Sequence, residues 1–160
     1  MEFSTPDLSD AFPEVKALLP IMKNYGGKSS FFGPIQTLKC PDDNSLIKEQ
    51  LNSEGNNQVL IVDAEGVNTV ALLGDLIAEA GMKNNWSGIV VNGFIRDVDI
   101  IKTLDIGVQA LGTYPIKSEK RGLGELGIEI CFGGLTFRPG QYIYADNNGL
   151  LLSEIELNSS

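Results

Sequence analysis

Gln58-Val59-Leu60-Ile61-Val62-Asp63 and Ser87-Gly88-Ile89-Val90-Val91-Asn92-Gly93 are two compact β-branched runs, each ending on polar or glycine residues. Runs of this kind are strands buried on both faces, as in a parallel sheet. Between them Val70, Leu73, Leu76, Ile77 and Ala80 recur at helical spacing, which predicts a helix over 68–84. Strand, helix and strand make a βαβ unit, so a parallel sheet packed against helices is expected at the centre of the chain.

Outward from this unit, Ser30 to Lys39 reads as a strand and Ser45 to Leu51 as a short helix. Thr5 as N-cap, with Pro6 at the first helical position and Asp7 in the first turn, predicts a short opening helix that Pro13 interrupts. Gly26-Gly27 marks a turn. Downstream, Val98 to Leu104 reads as a helix and Gly107 to Tyr114 as a strand. The last third turns β-rich: Ile128 to Phe132, Leu135 to Arg138, Tyr142 to Ala145 and Leu150 to Leu152 are short strands, separated by Gly133-Gly134, Pro139-Gly140 and Asn147-Asn148-Gly149. The expectation is one α/β domain over 1–160, with layers of sheet and helix around a common core.

Bulk properties narrow the function. At 160 residues, 42% apolar and 21% charged, the chain has the composition of an ordered globular domain. A net charge of −9 repels phosphate backbones, so direct nucleic-acid binding is not expected, while a basic protein partner stays open. Apolar runs are too short to span a bilayer and Met1 to Asp10 lacks signal-peptide regions, so a cytoplasmic location is expected. Cys40 and Cys131 read as isolated buried thiols, not a disulfide. The chain contains no histidine, which removes imidazole bases, Ser-His-Asp triads and His-ligated metals.

Two segments join acids to chemistry-bearing neighbours. Gly93-Phe94-Ile95-Arg96-Asp97-Val98-Asp99 follows the second buried strand, where open α/β sheets place their ligands. There the planar fork of Arg96 suits a carboxylate, and Asp97 suits a hard divalent cation that keeps several waters. Gly74-Asp75-Leu76-Ile77 sits in or beside the predicted helix, and a glycine there implies close backbone approach or a break exposing N–H groups to an anion. By spacing alone, a surface turn is the favoured explanation of Arg96-Asp97, and a solvated acid on the helix's outer face that of Asp75. Lys23, Lys28 and Lys39 lack surroundings that would depress a Schiff-base pKa. Gly122-Leu123-Gly124-Glu125-Leu126-Gly127 lacks the strand before it and the helix after it that a dinucleotide fingerprint needs, so it reads as a turn.

Ser30-Phe31-Phe32-Gly33 with Thr37, Gly74-Asp75-Leu76, Asn92-Gly93-Phe94-Ile95-Arg96-Asp97, Phe132-Gly133-Gly134, Pro139-Gly140 and Ala145-Asp146-Asn147-Asn148-Gly149 follow one another in a specific order. Together they resemble the family that holds the regulator of ribonuclease activity A and the class II 4-hydroxy-4-methyl-2-oxoglutarate/4-carboxy-4-hydroxy-2-oxoadipate aldolases. The resemblance runs from about Thr5 to Glu154 and implies a layered β/β/α sandwich of the swivelling phosphohistidine-domain type, with mixed sheets, forming a homotrimer.

By that resemblance Arg96 contacts substrate, Asp97 is the metal ligand for Mg²⁺ or Mn²⁺, and Asp75 orients a metal-bound water. Gly74, Asp75, Leu76 and Ile77 form a loop whose backbone meets a 2-oxo acid substrate. The implied activity is metal-dependent cleavage of 4-hydroxy-4-methyl-2-oxoglutarate to pyruvate, with oxaloacetate decarboxylation as a side activity. One position departs from the family pattern: Ile100 stands where an acid is expected, with Asp99 one place early. The alternative is a non-catalytic regulator that binds ribonuclease E or its arginine-rich scaffold, which Leu104 to Ala110 and Tyr144 to Asn147 resemble more closely and which the acidic surface suits.

Overall fold

A computed structural model describes residues 1–158. The elements in chain order are α1 (Thr5–Ala11), β1 (Lys16–Ala17), β2 (Lys23–Asn24), β3 (Phe31–Lys39), α2 (Ser45–Leu51), β4 (Val59–Asp63), α3 (Asp75–Lys83), β5 (Gly88–Ile95), α4 (Val98–Ile101), β6 (Gly107–Thr113), β7 (Glu125–Leu126), β8 (Ile130–Phe132), β9 (Leu135–Phe137), β10 (Tyr142–Asp146) and β11 (Gly149–Ser153). The main sheet runs β1-β11-β10-β3-β4-β5-β6-β2, and β8 and β9 form a separate ribbon. β3 joins its two halves: residues from Phe31 to Pro34 pair antiparallel with β10, and from Ile35 onward the strand pairs parallel with β4. β4, β5 and β6 continue in parallel, as the central βαβ pattern required.

Successive side chains of a strand point to opposite faces, and the parallel strands fill both. Leu60, Val62, Ile89 and Val91 pack on the helical side with Ile47, Leu51, Ala78 and Ile101. Val59, Ile61 and Val90 pack on the other side against Phe132, Phe137, Ile143 and Leu152, which come from the β-rich C-terminal third. Leu8 of α1 covers the far face of the antiparallel half, with Tyr144 and Leu151. The expected β/β/α layering is therefore present. The ring of Phe31 lies across the first residues of β5 and β6, where a Cβ on Gly88 or Gly107 would stand 2.3 or 2.1 Å from it, so only glycine fits at either strand start.

Several elements differ from their sequence expectations. The helix expected over 68–84 begins only at Asp75. Ala71 bridges in parallel to Phe94 and Lys117, and Leu72 N–H donates to Phe94 O at 2.9 Å. Backbone groups at the end of β5 need partners, and this extended segment supplies them. Leu72 and Leu73 are buried by sealing the sheet, whereas Leu76 is 75% exposed. α4 likewise stops at Ile101, after which Thr103 N–H to Ile100 O and Leu104 N–H to Ile101 O are turns.

At the start of the chain the N-cap is Ser4, whose side chain accepts from Asp7 N–H. Thr5 is instead drawn to Asp146, its N–H and Oγ1 donating to that carboxylate at 2.8 and 2.7 Å. β1 and β2 are two-residue edge strands without an apolar alternation to reveal them. The segment read as a turn over 122–127 contains β7, which pairs with the end of β3. Cys40 is buried as expected, but Cys131 is exposed because its neighbours Ile130 and Phe132 take the inward positions of β8. Among the described residues no helix is long and apolar enough to cross a membrane.

Candidate active site

A cleft of about 330 Å³ opens beyond the carboxyl ends of the parallel strands, and Gly74, Asp75, Leu76, Ile77, Arg96 and Asp97 all line it. The fold thus brings together every site residue the sequence singled out, although eighteen residues, carrying most of α3 and all of β5, lie between the two groups. Arg96 N–H donates to Leu73 O at 2.9 Å, which ties the chain entering α3 to the chain leaving β5.

Asp75 is the first residue of α3, and its backbone N–H donates to Asp97 Oδ2 at 3.1 Å. A helix leaves its first N–H groups without intrahelical acceptors, so a carboxylate from another segment caps α3. The first helical bond is Ala78 N–H to Gly74 O, at 3.1 Å, which leaves the N–H groups of Leu76 and Ile77 outside the helical ladder. Gly74 is the N-cap residue, in an extended conformation, and the close approach is what requires glycine: a Cβ there would stand 2.7 Å from Asp97 Oδ2. Of the readings open for this segment, in or beside a helix, the structure has Gly74 just before one, with the close backbone approach that its glycine implied.

Asp97 is held in the left-handed region, φ 59° and ψ 34°, a conformation Asp tolerates better than most residues. It begins α4, its carbonyl accepting from Ile100 and Ile101 N–H at 3.1 and 2.9 Å. The Arg96 guanidinium is steadied by Nη1 donating to Pro115 O at 3.3 Å, and it has no carboxylate partner among the described residues. Among the described residues no group of three or more Asp, Glu, Cys or His side chains could hold a metal ion together. The donor set at Asp97 therefore fits only a cation that takes one protein carboxylate and completes its shell with substrate and water, the habit of Mg²⁺. Ile100 is 50% exposed, and the acid one place early, Asp99, pairs with Lys102 at 3.5 Å.

The remaining wall was not foreseen from the sequence. Asn44, Lys48 and Asn52 line the cleft from α2 and its flanks, and Lys117 and Lys120 from the segment 114–124. The spacing of four from Asn44 to Lys48 to Asn52 marks one helix face and was available as a signal. Nothing local marks Lys117 and Lys120. Lys28 and Lys39, which lack neighbours in sequence that would activate them, pair with Asp105 at 4.0 Å and Glu65 at 3.2 Å, away from the cleft.

Segment 114–124 is pinned at both ends. Ala71 N–H donates to Ile116 O at 2.6 Å and Ser118 N–H to Ala71 O at 3.2 Å. At the other end the buried Asp43 carboxylate accepts from Arg121 N–H at 2.7 Å, Leu123 N–H at 3.0 Å and Ser45 Oγ at 2.6 Å. Burial pushes this carboxyl up, but the hydrogen bonds from Ser45, Leu123 and Arg121 outweigh it and hold its pKa down to about 2.

Comparison with known proteins fits this geometry. Residues 5–152 match the family described as RraA-like, Aldolase/RraA. A protein of Azotobacter vinelandii named "Putative 4-hydroxy-4-methyl-2-oxoglutarate aldolase" is 53% identical over 154 residues, covering 96% of this chain and 95% of that one. The solved structure of the RNA-processing inhibitor RraA from Thermus thermophilis superposes with a TM-score of 0.95 at 39% identity, covering 99% of this chain and 97% of that one. A Geobacillus kaustophilus structure named S-adenosylmethionine:2-dimethylmenaquinone methyltransferase superposes with a TM-score of 0.95 at 38% identity, covering 99% and 100%. Three different names attach to one architecture, so activity has to be argued from the site. From matched sequence over nearly its whole length and from the shared fold, the chain belongs to the RraA-like family.

Proposed function

We propose that the cleft is the active site of a divalent-metal-dependent aldolase that cleaves 4-hydroxy-4-methyl-2-oxoglutarate into two molecules of pyruvate. The observation that carries this reading is the junction of Asp75 N–H with Asp97 Oδ2 at 3.1 Å, beside Arg96, in one cleft. Asp97 would hold Mg²⁺ or Mn²⁺. Such a cation supplies a Lewis acid for the keto and carboxylate oxygens of a 2-oxo acid.

The chain's own groups divide the remaining work. The N–H groups of Leu76 and Ile77 at the start of α3 receive the substrate carboxylate, assisted by the helix dipole. Arg96 holds a carboxylate or polarises the C4 oxygen through its planar fork. Asp75 positions a water that takes the C4 hydroxyl proton; the C3–C4 bond breaks, C4 becomes a ketone, and the electron pair at C3 is quenched by a proton returned through water. Loss of carbon dioxide from oxaloacetate leaves the same electron pair beside a keto group, so decarboxylation is an expected side activity.

In this reading the chain acts in the cytoplasm, for which its two unbonded cysteines are suited, and assembles as a homotrimer. The exposed Leu76 and Ile116, beside the cleft, support an interface there. Light scattering after gel filtration measures the assembly directly.

The deciding experiment is pyruvate release from 4-hydroxy-4-methyl-2-oxoglutarate and from oxaloacetate, with Mg²⁺, Mn²⁺ or EDTA, for wild type and Asp97→Ala. Turnover that needs the cation and disappears in the variant is the expected result. Folded wild-type protein that turns over neither substrate with either cation overturns the reading.

A second reading, a regulator that binds ribonuclease E through an arginine-rich segment, is favoured by the net charge of −9 and by the likeness to the inhibitor from Thermus thermophilis. It predicts binding of an arginine-rich peptide that weakens steeply with salt. Absence of such binding at low salt removes it.

A further inference from the structure

Residues 16–24 cross from one edge of the main sheet to the other, since β1 pairs with β11 and β2 with β6. This crossing and the tip of the β10–β11 hairpin line a second cavity, of about 480 Å³. Ala145, just before the tip, pairs with Phe31 at the start of β3, and Gln109 is the third residue of β6. The cavity therefore lies at the amino ends of the parallel strands, at the opposite end of the sheet from the cleft that holds Arg96 and Asp97. Its size is that of a small-molecule site.

Side-chain amides line one wall with a fixed polarity. Asn24 Nδ2 donates to Asp146 O at 3.3 Å and to Asn147 Oδ1 at 2.9 Å. A backbone carbonyl only accepts, so the Asn24 amide sits one way round, with Oδ1 toward Gln109. Gln109 Nε2 donates to that oxygen at 3.0 Å, which turns Gln109 Oε1 away from Asn24. Gln109 is 3% exposed and lines the cavity, and its Oε1 has no hydrogen-bond partner among the described residues. An acceptor left open on a buried side chain calls for a donor from a ligand or from ordered water.

Two opposite charges face the same space without meeting. Lys23 lines the cavity and pairs with no carboxylate among the described residues. Asp146 lines it from the hairpin, anchored by Thr5 N–H, Thr5 Oγ1 and Asn148 N–H. Burial pushes the Asp146 carboxyl up, but the hydrogen bonds from Thr5 and Asn148 outweigh it and hold its pKa below the usual value, so it is ionised at neutral pH. Leu18 and Leu150, both buried, and the half-buried Met22 add apolar surface beside these charges.

We propose that this cavity binds a zwitterionic α-amino acid with an apolar side chain. The carboxylate meets Lys23, the ammonium group meets Gln109 Oε1 and Asp146, and the side chain lies against Leu18, Met22 and Leu150. A ligand with one charge leaves either Lys23 or Asp146 uncompensated, and a simple anion leaves Gln109 Oε1 without a donor. The apolar side chain adds affinity through the surface it removes from water. This site rests neither on the aldolase reading nor on the residues of the cleft.

The test is calorimetric titration of the full chain with L-leucine, L-methionine and L-phenylalanine, followed by the N-acetyl and the amide derivative of the tightest binder, each of which lacks one charge. At least one amino acid is expected to bind with millimolar or tighter affinity, and both derivatives about tenfold or more weakly than their parent. Gln109→Met and Lys23→Met, checked for folding by circular dichroism, should each weaken binding by about tenfold, while Lys16→Met, outside the cavity, should leave it unchanged. The side-chain amide resonances of Asn24 and Gln109 should shift as the ligand is added. Absence of binding by all three amino acids at about 10 mM overturns the site. So does a derivative that binds as well as its parent, or an unaltered affinity in either folded variant.

Discussion

Asp97 caps a helix that begins twenty-two residues before it: its Oδ2 accepts the backbone N–H of Asp75 at 3.1 Å, with Gly74 pressed against the same oxygen. The bond aligns the start of α3 with the end of β5. It also commits one oxygen of Asp97, so the carboxylate presents itself to the cleft in a fixed orientation, a prerequisite for holding a cation or substrate at a defined place.

Gly74→Ala tests that contact. Gly74 is not in the left-handed region, so alanine meets no backbone penalty, and its Cβ would stand 2.7 Å from Asp97 Oδ2. The carboxylate must move. Pyruvate-forming activity should fall by about 10-fold or more while the melting temperature shifts by only a few degrees. Retention of wild-type activity would show that the orientation of Asp97 is immaterial.

Asp43 gives the chain an acid-sensitive joint. Its folded pKa, about 2, lies below the ordinary 3.8, so the ionised carboxylate contributes stability fully above pH 3.8 and that contribution is lost as the pH falls toward 2. Asp43→Asn should lower the urea midpoint at pH 6, and the gap to wild type should shrink by pH 2.5. A gap that is the same at both values would mean that the charge of Asp43 does not stabilise the fold. At neutral pH, Asp43→Ala should cost about 2–3 kcal/mol, because the N–H groups of Arg121 and Leu123 lose their acceptor.

Gly107→Ala examines the core. The added methyl would lie 2.1 Å from the Phe31 ring, and overpacking of this kind costs about 1–3 kcal/mol. Pairing it with Phe31→Leu should recover part of that cost, so chemical denaturation of the two single variants and the double should reveal a favourable coupling. Strict additivity would place the strain elsewhere.

The thiols should separate cleanly. Burial pushes the Cys40 thiol up to about 12, with the carboxylates of Asp43, Asp63 and Asp42 adding to it, whereas Cys131 is exposed on β8. Ellman's reagent at pH 8 should therefore modify one thiol per native chain and two in guanidinium. Fast modification of both in native protein, or survival of the reactive thiol in Cys131→Ser, would contradict this placement.

The sequence by itself determined the layered α/β fold, because strands buried on both faces must be apolar throughout and the runs around Leu60 and Val90 are so. It also marked Gly74, Asp75, Arg96 and Asp97, because an open α/β sheet places its ligands beyond the ends of its parallel strands and these residues join acids to a glycine and a guanidinium there. It misjudged where α3 starts, because Val70 and Leu73 satisfy helical spacing while Phe94 and Arg96, at the end of β5, claim the backbone of Ala71, Leu72 and Leu73 for an extended segment. Periodicity records which side chains seek burial but not which element offers it. Only the tertiary structure decided that Asp97 caps α3, and that Lys117 and Lys120 line one cleft with Lys48, because those contacts depend on the return of the chain through β5 and on segment 114–124 being held by Asp43 from across the fold. Long-range hydrogen bonds of this kind leave no local pattern in the chain.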